Sequence, residues 1–176
     1  NKNNYLRLLA NKLKSDVIEH KDFIGGRFSV MSEVGMIPAE LMGLNENKFK
    51  KFNSLIVKKK FQKGLINNVL NTYELFKKKK YNSVILNYDS CSYDFFQWYQ
   101  QLVSESLGKK SKGIIPIISS MPKDNHSILQ LYLSGFKPNF YTFFITEETK
   151  SLKLNSKLLL DNFDFLKNKN SFEILN

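Results

Sequence analysis

Cysteine is almost missing from this 176-residue chain. A single Cys91 excludes an internal disulfide and suits a reducing compartment, so a cytoplasmic setting is expected. With no histidine near it in sequence, Cys91 reads as a small core residue rather than a nucleophile. Arginine is scarce as well: Lys and Arg together number 27, yet Arg stands only at positions 7 and 27. Readers of nucleic acid lean on arginine for bidentate contacts, and none of their motifs is present. The net charge of +11 is therefore read as solvated lysine surface, with runs at Lys58–Lys60 and Lys77–Lys80. Neither a nucleic-acid nor a membrane partner is expected, since no run of about 18 apolar residues occurs. The start, Asn1-Lys2-Asn3-Asn4, carries no signal-peptide pattern. Dinucleotide and P-loop glycine motifs and metal-ligand clusters are missing too, so no cofactor and no metal are expected.

What is present is ample material for a core: 42% hydrophobic residues, with 15 Phe and 8 Tyr. A chain of this length can form one domain and bury roughly 70% of its unfolded surface. Apolar spacing predicts helices over 3–14, over Val30–Leu41 with Pro38 kinking or restarting it, over Glu46–Lys60 and over Gln62–Lys79. Residues 81–87, 113–118 and 139–145 read as short buried strands. Between them lie a helix closed by Gly108 and a helix from His126 to Ser134, capped by Asp124 or Asn125 and ended by Gly135. Leu158–Leu160, Phe163 and Phe165 suggest a helix and a loose end in the tail. Strand, helix, strand, helix, strand is the order of parallel βαβ units, which bind ligands beyond the carboxyl ends of their strands.

Three places carry candidate chemistry. Gln97, Gln101 and Glu105 are four residues apart and stack as one polar stripe, beside an apolar face of Phe95, Trp98 and Leu102. A carboxylate beside amides and backed by aromatics suits a general base in a drier place than bulk water, where burial would strengthen it. An ordinary helix with a solvated polar face is the alternative. Gly25-Gly26-Arg27 precedes a helix start that Ser29 or Ser32 can cap, with Glu33 in its first turn. Paired glycines let a ligand approach the main chain, and an arginine at a helix start suits an anion; a tight turn with a surface arginine is the other reading. His126 lies just past a strand end, either a cap or a functional group.

Three blocks of the chain, in order, resemble the glucose-6-phosphate isomerase family. They are Gly25-Gly26-Arg27-Phe28-Ser29-Val30-Met31-Ser32 running on to Ala39, then Gln101-Leu102-Val103-Ser104-Glu105-Ser106-Leu107-Gly108-Lys109, then Asp124-Asn125-His126-Ser127-Ile128-Leu129-Gln130-Leu131-Tyr132. The resemblance covers about residues 16–146. It implies a SIS-type (sugar isomerase), flavodoxin-like α/β three-layer sandwich with a mostly parallel sheet, partial relative to the full family. By residue it implies Glu105 as the base that moves a proton between C1 and C2 of an open-chain sugar phosphate through a cis-enediolate. Arg27 would steady the charge on that intermediate, Gly26 would let the backbone approach the substrate, and Gln101 would contact it. His126 would help open the sugar ring, reaching the site from the other subunit of a homodimer. Aldose–ketose exchange of this kind needs one base and fixed positive charge, without metal or redox cofactor.

The chain also departs from that pattern. No Ser/Thr-rich phosphate loop is found, and no match to the family's catalytic lysine; Lys167 and Lys169 lie in the wrong context for that role. The expected organisation is a helix and linker over 1–24 from a preceding SIS domain, a second SIS-type domain over 25–150, and a tail over 151–176. Weak or no isomerase activity is expected of the chain on its own. A non-catalytic sugar-phosphate-binding SIS protein is the alternative, and a polyanion binder is suggested by charge alone.

Overall fold

A computed structural model describes residues 4–135, 137–146, 152–155, 161–170 and 173–174. The chain forms two compact units, Asn1–Glu74 and Leu75–Asn176. The predicted tail segment Leu158–Leu160 lies outside the described residues.

In the first unit, helix α1 (Tyr5–Leu13) starts where the Asn4 side chain accepts the Arg7 amide at 2.8 Å and stops at Lys14 in the left-handed region. A 3-10 helix, Gly26–Met31, leads into α2 (Glu33–Leu41), so the apolar helix predicted from Val30 begins three residues later. Ser32 caps α2, accepting from the Val34 amide, and Glu33 occupies the first turn as expected. The close approach of the two helices depends on Gly35, where a Cβ would sit 2.1 Å from the Val30 carbonyl oxygen. Helix α2 runs through Pro38.

The single helix predicted over Glu46–Lys60 is two short ones, α3 (Glu46–Lys50) and α4 (Asn53–Ile56). Polar side chains compete for the backbone there: the Ser54 hydroxyl donates to the Lys51 carbonyl at 2.6 Å. Helix α5 (Lys59–Lys77) follows, with Leu65, Val69 and Tyr73 on its apolar side.

The second unit is built on three parallel strands in the order β2-β1-β3: β1 (Asn82–Asn87), β2 (Ile115–Ser120) and β3 (Asn139–Phe144). Helix α6 (Tyr93–Leu107) joins β1 to β2; α7 (Lys123–Ser127) and α8 (Leu129–Ser134) join β2 to β3. The helix predicted as continuous to Ser134 is interrupted at Ile128, and Pro122, not Asp124 or Asn125, stands at the cap. Strand β2 sits two residues later than predicted. Gly113, at φ +153°, turns the chain out of the Lys109–Lys112 hairpin, and Ser119 and Ser120 gain ladder partners in Leu86 and Asn87.

The two crossovers run in opposite directions across the sheet, from β1 to β2 and then from β2 over β1 to β3, so right-handed connections put their helices on opposite faces. Contacts agree. On one face Phe96 of α6 meets Phe144 edge to face, with ring centroids 4.9 Å apart, and the Gln100 amide donates to the Pro116 carbonyl. On the other, Tyr132 of α8 packs on the Val84, Leu86 and Met121 cluster and hydrogen-bonds Ser119. All six residues of β1 are buried, as a central strand covered twice must be. The three-layer parallel α/β arrangement is therefore the observed fold. Cys91 is exposed, which overturns its reading as a core residue: it lies in the turn between β1 and α6, not in the sheet.

Candidate functional site

Gly26 and Arg27 open the 3-10 helix of the first unit. Gly25 has φ −67° and no positive φ occurs at Gly26, so the expected reliance on glycine-only backbone is not found. The gain is in space. A side chain at Gly26 would meet nothing within 4 Å, so the protein's own packing does not explain a glycine there. Next to it Arg27 is half-buried, its guanidinium carbon 4.6 Å from the centre of the Phe28 ring. The turn is closed from both ends, by the Phe28 amide donating to the Gly25 carbonyl at 2.9 Å and the Ser29 hydroxyl donating to the Gly26 carbonyl at 2.7 Å.

Sequence reasoning missed the group that ties this turn down. His20 places Nδ1 2.8 Å from the Glu33 carboxylate and Nε2 3.1 Å from the Ile24 carbonyl. The bond to Glu33, helped by that to Ile24, raises the His20 pKa above its ordinary value. The Glu33 carboxyl is held lower by its own backbone N–H at the start of α2 and then by His20. The two residues are 13 apart, a separation no helical or strand period reveals.

In the second unit the stripe on α6 forms as the spacing predicts, and the Gln101 amide donates to the Glu105 carboxylate at 2.9 Å. Both side chains are exposed, so the drier setting expected for Glu105 is not present in the chain as it stands. Gly108 closes α6, although at φ −74° rather than in the left-handed region; a Cβ there would lie 2.5 Å from the Ser104 carbonyl oxygen. His126 is exposed in α7.

Topology separates these groups. Phe96 lies against the end of β3 and Gln100 against the start of β2, so α6 runs back along the sheet and Glu105 falls at the amino edge of the strands. His126 follows β2 and falls at the carboxyl edge. A six-residue strand spans about 20 Å. Gln101 and Glu105 are brought together, whereas His126 and Glu105 of one chain stand at opposite edges of the sheet. The carboxyl edge also holds a cluster of polar side chains in which sequence reading did not single out the buried Asn87 and Asp89. Asp89 accepts from the Cys91 amide and the Ser92 hydroxyl, Asn87 accepts from the Asp89 amide, and Asp124 accepts from the Ser120 amide. These bonds cap local backbone and account for the burial of the carboxylate. Among the described residues no helix is long and apolar enough to cross a membrane, and no cluster of His, Cys, Asp and Glu could hold a metal.

No family model matches the chain. Curated relatives do. The chain is 34% identical over 149 residues to a glucose-6-phosphate isomerase of Methanocaldococcus jannaschii, covering 81% of this chain and 37% of that protein. It is 32% identical over 172 residues to the glucose-6-phosphate isomerase of Clostridium tetani, covering 93% of this chain and 38% of the relative. Among solved structures, a hypothetical protein of Thermus thermophilus matches with a TM-score of 0.78 at 24% identity, over 97% of this chain and 43% of that one. That likeness concerns the fold alone, the open parallel α/β arrangement described above.

Proposed function

We propose that this chain, a partial relative of the glucose-6-phosphate isomerases spanning somewhat over a third of their length, carries the proton-transfer part of such an isomerase. The reaction is the reversible conversion of glucose 6-phosphate to fructose 6-phosphate. The Glu105 carboxylate takes the proton from C2 of the open-chain aldose and returns it to C1, passing through a cis-enediolate. Arg27 steadies the negative charge on the enediolate, Gln101 contacts the substrate, and the backbone at Gly26 lies against it. His126 assists ring opening. The observation that carries the reading is the Gln101–Glu105 pair: a carboxylate oriented by an amide one turn away and open to a ligand. The open space at Gly26 supports it, since a ligand gives that glycine the reason that packing does not.

Residues 25–150 form the second SIS-type domain in this reading, with 1–24 a helix and linker from a preceding one and 151–176 a tail. The protein is a homodimer in the cytoplasm. A two-fold partner supplies His126, which answers the placement of Glu105 and His126 at opposite edges of one sheet.

The exposure of Glu105 favours a second reading, a sugar-phosphate-binding protein without catalysis. Glu105→Gln, made in the protein's longest natural form, separates the two. A binder keeps its affinity for fructose 6-phosphate with no turnover to lose, whereas an isomerase keeps binding and loses turnover by about 100-fold or more. Without a phosphate loop the chain by itself is expected to turn over slowly or not at all. Rates of about 1 s⁻¹ or above for the 176-residue chain would contradict that expectation.

A further inference from the structure

We propose that His20 is a positioning residue: as an imidazolium it bridges Glu33 and the Ile24 carbonyl and so fixes the turn that presents Gly26 and Arg27. The proposal rests on the isomerase reading for the role of Arg27, but not for the clamp itself.

The geometry leaves little choice of protonation state. Both ring nitrogens of His20 face acceptors, a carboxylate oxygen at 2.8 Å and a carbonyl oxygen at 3.1 Å. A neutral imidazole has one N–H and can satisfy only one of them; the cation satisfies both. Glu33 is the first residue of α2 and Ile24 precedes Gly25, so the ring joins the two ends of the segment holding Gly26 and Arg27. Losing the proton would break either the bond to the Glu33 carboxylate or the bond to the Ile24 carbonyl, and the loop would open at that end.

The surrounding charges act in the same direction. Glu33 on α2 and Asp22 on the histidine's own segment both favour the cation. Arg7 on α1 is occupied by Glu19, at 2.7 Å, and Lys21 lies 5.8 Å from the centre of the Phe23 ring. Only two histidines exist, His20 and His126, so their ring signals are readily assigned with one variant.

The test is an NMR titration of the whole chain from pH 5 to 9, following both histidine rings and the backbone amides of Gly25 to Phe28. His20 is expected to titrate above its ordinary value near 6.5, and the Gly25–Phe28 amides to shift with the same midpoint. In Glu33→Gln the midpoint falls and the amides lose their coupling to it. A His20 that titrates at or below about 6.5, or amides indifferent to its titration, overturns the proposal, and the wild-type chain alone decides this if the variant fails to fold. Turnover of fructose 6-phosphate is measured in parallel on the protein in its longest natural form. A coupled His20 with no turnover in that form supports the clamp and counts against the isomerase reading; turnover there without coupling does the reverse.

Discussion

Gly26 and Gly35 show how two glycines of one motif serve different ends. At Gly35 a Cβ would drive into the Val30 carbonyl, so Gly35→Ala is expected to cost roughly 1–3 kcal/mol in thermal or denaturant unfolding. At Gly26 nothing stands within 4 Å, so Gly26→Ala is expected to change stability by less than about 1 kcal/mol. Under the proposed function it nevertheless weakens fructose 6-phosphate binding, which calorimetry on both variants would reveal. The sequence block Gly25-Gly26-Arg27 was legible as a turn leading into a helix start. Its support by His20 was not, because a contact across 13 residues of turn leaves no local pattern. The linkage of that pair has a definite sign. His20 has a raised pKa in the folded chain, so its contribution is complete below the unfolded value near 6.5 and fades as pH rises through the folded value. Glu33 is lowered, so its contribution is present above about 4.5 and is lost as pH falls through its folded value. Melting curves of wild type against His20→Gln should therefore differ most between about pH 4.5 and 6.5 and converge at alkaline pH.

Helix α6 is the element in which periodicity and tertiary structure agree most closely. The spacing placed Gln101 over Glu105, but of the aromatics it set on the apolar side Phe95 is 52% exposed, and Phe96 is the residue of α6 that the sheet covers most completely. Truncation there removes the contact with Phe144, so Phe96→Ala is expected to destabilise the second unit by about 3 kcal/mol, measurable by urea unfolding. Strand β1 was equally legible because a run covered on both faces is continuously apolar at its centre, Val84 to Leu86. The edges of elements were less so. β2 extends through Ser119 and Ser120 because its partner, β1, continues to Asn87, and a strand's end set by its neighbour is invisible in its own residues. The break between α3 and α4 has the opposite origin, a side-chain hydroxyl that competes with the helix for a carbonyl.

On the scale of the whole molecule, the parallel order β2-β1-β3 fixes which functional groups one chain can gather. It sends Glu105 to one edge of the sheet and His126 to the other, and no rearrangement of side chains closes a gap of about 20 Å. If a two-fold partner supplies the histidine, two inactive variants repair each other. Mixed and refolded Glu105→Gln and His126→Ala chains should regain about a quarter of wild-type turnover, since half the dimers are mixed and each mixed dimer has one intact site of two. That crossing was not legible from composition or spacing; it rests on motif resemblance and on the topology. In the proposed reaction, proton removal by Glu105 is the step on which the rest depends. The direct measurement is deuterium uptake at C1 of fructose 6-phosphate in D₂O, followed by proton NMR, with the protein in its longest natural form beside Glu105→Gln. Uptake well above the buffer rate that disappears in Glu105→Gln is the predicted result. No uptake above buffer, or equal uptake by both proteins, would contradict it.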